Sequence, residues 1–169
     1  GQYYTKTGIQ YSSSPDGYTR QVADNPNGFK WKVPNAGALF IQEVGFKKPA
    51  TATDHQSWVR FGYIRNDSDF VDLRDGGRST RNYAVYGMAD YQLFKFDGRP
   101  SPASGFYTGY SAHLGRDRYS RIAQTYEGRF YVQGPFASRP ADMASFIVSY
   151  NVFSRYAVAA ARNAGQSAP

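Results

Sequence analysis

One short stretch of this sequence carries chemically active side chains at every second position. They alternate with apolar residues and glycine between positions 125 and 134, and they are Glu127, Arg129, Tyr131 and Gln133. In a β-strand alternate residues point to the same side, so these groups would share one face. Guanidinium, carboxylate and amide groups exchange hydrogen bonds with hydroxyls, and a tyrosine ring packs on C–H groups. The face would therefore present hydrogen-bond donors, hydrogen-bond acceptors and an aromatic ring side by side.

The same alternation adds polar side chains from other stretches to that face. These further candidates are Lys6, Glu43, Arg60, Asp90 and His113. Glu127 and Arg129 lie two residues apart near the middle of their strand, and His113 lies on the strand predicted to be next to it. If this face lines a passage, we predict that these side chains form a constriction of it. The alternative for each residue is a solvated side chain, or one that pairs with a charge on the next strand.

The residues between these polar positions are mostly aromatic or aliphatic. Phe130 and Val132 represent this second face in one strand, and Phe146 and Val148 represent it in the next. The chain has 15 Tyr, 12 Phe and 17 Gly, a composition typical of strands and turns rather than helices. A wall between lipid and water has one apolar and one polar face. The low mean hydropathy of -0.61 fits such strands, which need an apolar residue only at every second position.

Together the patterns predict an all-β, antiparallel meander in a single domain. The predicted strands lie near residues 2–12, 37–47, 56–65, 82–95, 105–114, 125–134 and 142–152, and a helix-prone tail covers residues 153–164. In the second strand Leu39, Ile41 and Gln42 interrupt the alternation, which indicates a register irregularity or a bulge.

The predicted connectors favour a membrane barrel over a soluble fold. Long and short connectors alternate along the chain, and residues 66–81 form one of the long polar loops. Outer-membrane barrels have short turns on one side and longer loops on the other. A soluble β-sandwich or a lectin-like carbohydrate-binding module remains the alternative, in which the aromatic faces would pack against each other.

Other classes of function receive little support. Two histidines, no cysteine and no Gly-x-Ser-x-Gly motif leave no set of residues for an enzyme. The net charge of +7 is spread singly along the chain, so we expect no nucleic-acid partner. No cofactor is expected. The loop aspartates could bind a cation, but their spacing lacks that of an EF-hand, and solvated loop charges are favoured. They are Asp67, Asp69, Asp72 and Asp75.

Three segments resemble the carbohydrate-selective porin (OprB-like) family of Gram-negative outer membranes. They read GPFASRPADMASFIVSYNVFSR from Gly134, NGFKWKVPNAGALFIQEVGFKKP from Asn27 and YAVYGMADYQLFK from Tyr83. The resemblance implies an outer-membrane β-barrel of about 16 strands, surrounded by lipid, through which small carbohydrates diffuse. It leaves a homo-oligomer open. Since seven strands are predicted, we expect an internal or incomplete portion of such a barrel, and the net positive charge predicts a basic lumen.

Overall fold

A single antiparallel sheet of seven strands, paired in sequence order, makes up most of this protein. It is seen in a computed structural model that describes residues 1–30 and 33–165. The predicted all-β meander is confirmed. The strands are β1 Gln2–Tyr11, β2 Ala38–Lys48, β3 Ser57–Val71, β4 Arg78–Lys95, β5 Gly105–Gly115, β6 Ile122–Gln133 and β7 Met143–Phe153.

The two faces of this sheet differ in chemistry. The inner face, as we name it, carries Tyr4, Glu43, Arg60, Asp90 and Arg129, which the strand register places on one side. The opposite, outer face carries the six aromatic residues expected there, which are Tyr3, Phe61, Tyr110, Phe130, Phe146 and Tyr150.

The outer face is not covered by another layer of the described protein. Phe61 is 60% exposed and Tyr150 is 67% exposed, whereas a β-sandwich would bury such side chains in its core. Buried hydrophobic residues in the described ranges are Val33, Tyr107 and Ala123, too few and too scattered for a soluble core. The arrangement is that of a wall, and the soluble-sandwich alternative does not fit it.

The predicted irregularity in the second strand is wrong. β2 pairs continuously with both neighbours, so Leu39 and Ile41 lie on the inner face and Gln42 on the outer face. The Gln42 amide is satisfied there, because Thr7 Oγ1 donates to its Oε1 at 2.6 Å and its Nε2 donates to Thr5 Oγ1 at 2.6 Å. The observed register shifts lie between Asn66 and Asp69, Gln92 and Phe94, and Ile122 and Gln124.

The predicted loop at residues 66–81 is also wrong, since β3 and β4 continue through most of it. Asn66, Asp67 and Asp69 make both faces polar, and the register shifts between Asn66 and Asp69, so the alternation that reveals a strand is lost, although pairing with β4 resumes at Asp69. The remaining connector, 72–77, is shorter than the connector 96–104 on the opposite side. The alternation of connector lengths therefore fails, and the support for a barrel comes from the two faces.

Two helices lie at the same end of the sheet. α1, Tyr18–Asp24, falls within the predicted loop between β1 and β2. α2, Arg155–Asn163, lies within the predicted helix-prone tail, and Ser154 caps it because its Oγ accepts hydrogen bonds from the backbone N–H groups of Tyr156 and Ala157. Neither helix of the described chain has the length and apolar character needed to cross a membrane.

Candidate functional site

A charged cluster lies at the middle of the inner face. Arg129 on β6 donates from Nε and Nη2 to Asp90 Oδ1 on β4, at 3.1 and 2.9 Å. Arg60 on β3 approaches the other oxygen of Asp90, with its Nη2 at 3.6 Å from Oδ2. The Asp90 side chain is 10% exposed and the Arg129 side chain 13%, so both charges are held at fixed positions. Paired, partly desolvated groups of this kind interact more strongly than exposed ion pairs.

Glycine makes the contact between Asp90 and Arg129 possible. Asp90 pairs with Gly109 on β5, and Gly109 pairs with Arg129, so the two charged residues lie in one row with β5 between them. A Cβ atom at Gly109 would lie 2.6 Å from both Arg129 Nε and Asp90 Oδ1. The missing side chain leaves room for two residues two strands apart to meet above the sheet.

The predicted pair of Glu127 and Arg129 is present in the structure. Arg129 Nη1 donates to Glu127 Oε1 at 2.9 Å, and Ser149 Oγ on β7 lies 3.5 Å from the other carboxylate oxygen. Arg129 is thus held by two carboxylates, one on its own strand and one on β4. A guanidinium held in this way presents its remaining donors in a fixed direction.

A third carboxylate, that of Glu43 on β2, accepts hydrogen bonds from two tyrosine hydroxyls. Tyr4 Oη donates to its Oε1 at 2.9 Å, and Tyr86 Oη donates to its Oε2 at 2.7 Å. The ring of Tyr86 lies over Gly62 and that of Tyr4 over Gly45, where an added Cβ would overlap each ring. Both rings therefore lie flat along the inner face, with their phenol groups converging on one carboxylate.

Trp58 on β3 connects the charged cluster around Asp90 with the tyrosines around Glu43. Its Nε1 donates to Tyr4 Oη at 2.7 Å, and the Arg60 guanidinium carbon lies 3.7 Å from the centre of its ring. Lys47 Nζ lies 4.9 Å from the same ring centre. A cation at this distance from an aromatic face is attracted by it. The contacts form a continuous network from Tyr4 across the sheet to Glu127.

The remaining predicted site residues lie around this network. Lys6 Nζ lies 5.1 Å from the Tyr4 ring centre, and the His113 ring stacks on Tyr86 at 5.7 Å. Tyr131 Oη lies 3.5 Å from Asp90 Oδ1, and its ring stacks on Tyr107 at 4.7 Å. Gln133 lies on the same face at the end of β6, and it makes no side-chain hydrogen bond with any residue that the structure describes.

Sequence reasoning missed Tyr4, Trp58 and Tyr86. The signal was present, because each occupies the same alternate positions as a selected residue, namely Lys6, Arg60 and Asp90. Most of the selected residues are charged or carry an amide, and Tyr131 is the tyrosine among them, although the rings at positions 4, 58 and 86 follow the same alternation. The roles of Gly62 and Gly109 could not be predicted, since they depend on the register of three strands.

The loop aspartates considered for a cation are engaged with arginines. Asp67 pairs with Arg65, Asp69 with Arg78, Asp72 with Arg118 and Asp75 with Arg74. Within residues 1–30 and 33–165, no group of three or more His, Cys, Asp or Glu side chains could hold a metal ion. These four aspartates thus form ion pairs with arginines.

The sheet and its two faces define the class of protein: a strip of transmembrane β-barrel wall, apolar on one side and polar on the other. The sequence matches "Carbohydrate-selective porin, OprB family" over residues 1–169. The chain belongs to this family, and the resemblance noted in the sequence is confirmed.

A solved structure has the same fold. The high-pH structure of Pseudomonas putida OprB superposes with a TM-score of 0.74 at 14% sequence identity, covering 98% of this chain and 41% of that one. At this identity the likeness supports the fold alone. The chain thus spans 41% of the length of the porin chain that it matches. The comparison with curated proteins gave no match.

Proposed function

We propose that this chain forms part of a channel in the Gram-negative outer membrane through which small carbohydrates diffuse. The inner face would line the lumen and the outer face would contact lipid. The observation that carries the proposal is the network on the inner face, in which Arg129 is paired with Asp90 and Tyr4 connects Trp58 to Glu43. Family membership over residues 1–169 supports the substrate class.

The chemistry of the network suits a neutral sugar. Hydroxyl groups of a passing sugar can accept from Arg60 and Arg129 and donate to Glu127 and Asp90. The rings of Trp58 and Tyr86 offer flat surfaces for its C–H groups. Because the side chains are already paired, they need little rearrangement when a solute arrives. Many weak contacts in fixed positions allow a solute to enter and also to leave, which diffusion through a channel requires.

We further propose that the lumen is weakly basic. On the inner face the carboxylates of Glu43, Asp90 and Glu127 are matched by hydrogen-bond donors or arginines, as described above. Lys6 lies opposite Glu43 in the strand register, and Lys47 lies over the Trp58 ring; neither forms an ion pair within 4.0 Å among the described residues. Together with Arg60 and Arg129 they place four cationic side chains against three carboxylates in this part of the face. The resulting potential would discourage small cations and leave neutral sugars unaffected. The chain would therefore act as a channel component rather than an enzyme, and a homo-oligomer remains compatible with this function.

The test uses Arg129→Ala in the complete porin, reconstituted in liposomes. Loss of the guanidinium removes donors for sugar hydroxyls and leaves Asp90 and Glu127 without their main partner. We expect the rate of sugar-driven liposome swelling to fall by about twofold or more and the preference for anions to decrease. Arg129→Lys, which keeps the charge but loses the planar fork, should restore anion preference more fully than sugar flux.

Arg139→Ala provides the matched control. Arg139 lies in the connector between β6 and β7 and pairs with Asp142 at 3.0 Å, far from the network, so the loss of the same charge should leave sugar flux unchanged. Equal sugar flux for the original protein and Arg129→Ala would show that Arg129 is an ordinary wall residue, and the proposed lumen site would be wrong.

A further inference from the structure

Tyrosines mark the end of the outer face on the side of the connector 72–77. Tyr63 on β3 and Tyr83 on β4 have ring centres 6.4 Å apart, and Tyr119 lies in the nearby connector between β5 and β6. Apolar residues such as Val85 and Leu114 continue this face toward the middle of the sheet. Tyrosines of barrel proteins concentrate at the level of the lipid headgroups, because they have an apolar body and a polar tip.

An arginine lies between two of these tyrosines. The guanidinium carbon of Arg116 is 5.0 Å from the ring centre of Tyr83 and 4.7 Å from that of Tyr119. Its Nη1 donates to the backbone carbonyl of Arg81 at 3.1 Å, which fixes the position of the charge. Arg81 is itself exposed and precedes Tyr83 by two residues.

These two arginines differ in their partners from four other arginines at this end of the sheet. Arg65, Arg74, Arg78 and Arg118 at the same end of the sheet each pair with an aspartate. Neither Arg81 nor Arg116 has a carboxylate within 4.0 Å among the described residues, so their charge is not neutralised by the protein there. Arg121, which is also exposed, likewise has no carboxylate within 4.0 Å among the described residues, but no aromatic ring there lies against its guanidinium. At the opposite end, Lys48 pairs with Asp54, and Lys95 donates to the carbonyls of Thr51 and Ala52.

We propose that Arg81 and Arg116, with Tyr83 and Tyr119, bind the phosphate group of a membrane lipid headgroup. A guanidinium recognises phosphate through paired, charge-assisted hydrogen bonds. The site lies where the apolar outer face ends, so the acyl chains of the same lipid can pack on Val85 and Leu114 below it. This continuity with the apolar face selects a lipid rather than free phosphate. The inference rests on the membrane position given by the proposed function.

The experiment titrates the complete, detergent-purified porin with bisphosphorylated lipid A and measures bound lipid by native mass spectrometry. We expect Arg81→Gln/Arg116→Gln to weaken binding by about tenfold. Dephosphorylated lipid A should bind the original protein as weakly as bisphosphorylated lipid A binds this variant. Excess inorganic phosphate should not displace the lipid, since it lacks the acyl chains.

Two further variants separate a lost site from a disturbed fold. Arg81→Gln alone removes a side chain that makes no hydrogen bond in the described structure and should weaken binding partially. Arg81→Lys/Arg116→Lys keeps both charges and should recover part of the affinity. Arg139→Gln, the same charge change at the other end of the sheet, should bind lipid A as the original protein does.

The inference is overturned if Arg81→Gln/Arg116→Gln binds lipid A normally, or if the phosphates of lipid A make no difference. Displacement by inorganic phosphate would also overturn it and would indicate a free-anion site instead. Its failure is distinguishable from that of the proposed function, because sugar flux through the Arg129 variants depends on other residues and another measurement.

Discussion

Glycines on the inner face determine which side chains can meet. Gly109 separates Asp90 from Arg129, and Gly62 separates Glu43 from Tyr86. In both cases a long polar side chain reaches across the intervening strand. It passes through the space that a side chain at the glycine position would occupy. A strand glycine usually weakens a sheet, but here it permits a contact that two adjacent strands could not make.

Gly109→Ala tests this role directly. The added methyl group would lie 2.6 Å from Asp90 Oδ1 and Arg129 Nε, so one of the side chains must move and the ion pair must lengthen. We expect the complete barrel to lose about 1–3 kcal/mol of stability in reversible urea unfolding in lipid.

Gly128→Ala is the matched control for this change. Gly128 lies on β6, and nothing lies within 4 Å of a Cβ added there. The stability of the Gly128→Ala barrel should therefore be nearly unchanged. If the two substitutions have the same effect on the free energy of unfolding, space above Gly109 is not what positions the pair.

The sequence could predict only part of this site. Glu127 and Arg129 lie two residues apart in one strand, and the pair follows from strand geometry alone. The contact of Arg129 with Asp90 joins residues 39 positions apart, so it depends on the register of β4, β5 and β6. Alternation identifies the face on which a residue lies, but it does not identify the residue opposite it on another strand.

At the scale of the elements, ion pairs connect the ends of successive hairpins. Asp72 after β3 pairs with Arg118 in the connector between β5 and β6, where Leu73 N also donates to Arg118 O at 2.8 Å. Asp117 in the same connector pairs with Arg155 of α2 at 3.1 Å. Asp16, in the connector between β1 and β2, pairs with Arg78 of β4 at 3.0 Å. The connectors at this end thus form one linked layer.

Acid should loosen this layer. The hydrogen bond from Arg118 lowers the pKa of Asp72 below its ordinary value of 3.8, and a hydrogen bond from Asn35, followed by one from Arg78, lowers the pKa of Asp16 likewise. A carboxylate with a lowered pKa stabilises the folded state above the ordinary value. This contribution is lost as the pH falls through the lowered pKa.

We therefore expect amide exchange at Leu73 to accelerate, relative to its intrinsic rate, when the pH falls from about 6 to about 3. Asp72→Asn should already exchange faster at the higher pH and respond less to acid, because the charge is absent throughout. Exchange at Leu73 that stays equally protected at both pH values in the original protein would contradict a role for the Asp72 charge.

The elements also show where sequence patterns stop being informative. The strand alternation was readable wherever one face of the sheet is apolar, because apolar residues then recur at every second position. Beyond this band, as at residues 66–71, both faces are polar, and β3 looks like a loop although it remains paired with β4. At Gln42 the sequence pattern predicted an irregularity where the strand is regular. Hydrogen bonds with Thr5 and Thr7 satisfy its amide and allow this polar residue on the outer face.

At the scale of the whole molecule, the sheet is an open wall whose edges are β1 and β7. Each pairs on one side only within the described residues. Unpaired backbone groups in hydrocarbon cost several kcal/mol each, so both edges need partner strands in a membrane. The matched porin chain is longer than this one, which accounts for 41% of it. In the proposed channel, further strands would close the wall, and this chain would contribute part of its polar surface.

In the proposed channel the inner face meets water and the outer face meets lipid. These 169 residues contain no cysteine, so single cysteines introduced here can report on the two faces in a complete porin free of other cysteines, reconstituted in liposomes. Neighbouring positions on β7 give the sharpest comparison, since its register places Ser145 and Ser149 on the inner face and Phe146 and Val148 on the outer face.

We predict that a water-soluble, membrane-impermeant maleimide labels Ser145→Cys and Ser149→Cys rapidly and leaves Phe146→Cys and Val148→Cys unlabelled. Bulky labelling at Ser149→Cys should also slow sugar flux, because the label would enter the lumen beside Glu127. Equal labelling at all four positions, or labelling of the outer pair alone, would contradict the assignment of the two faces and with it the proposed channel.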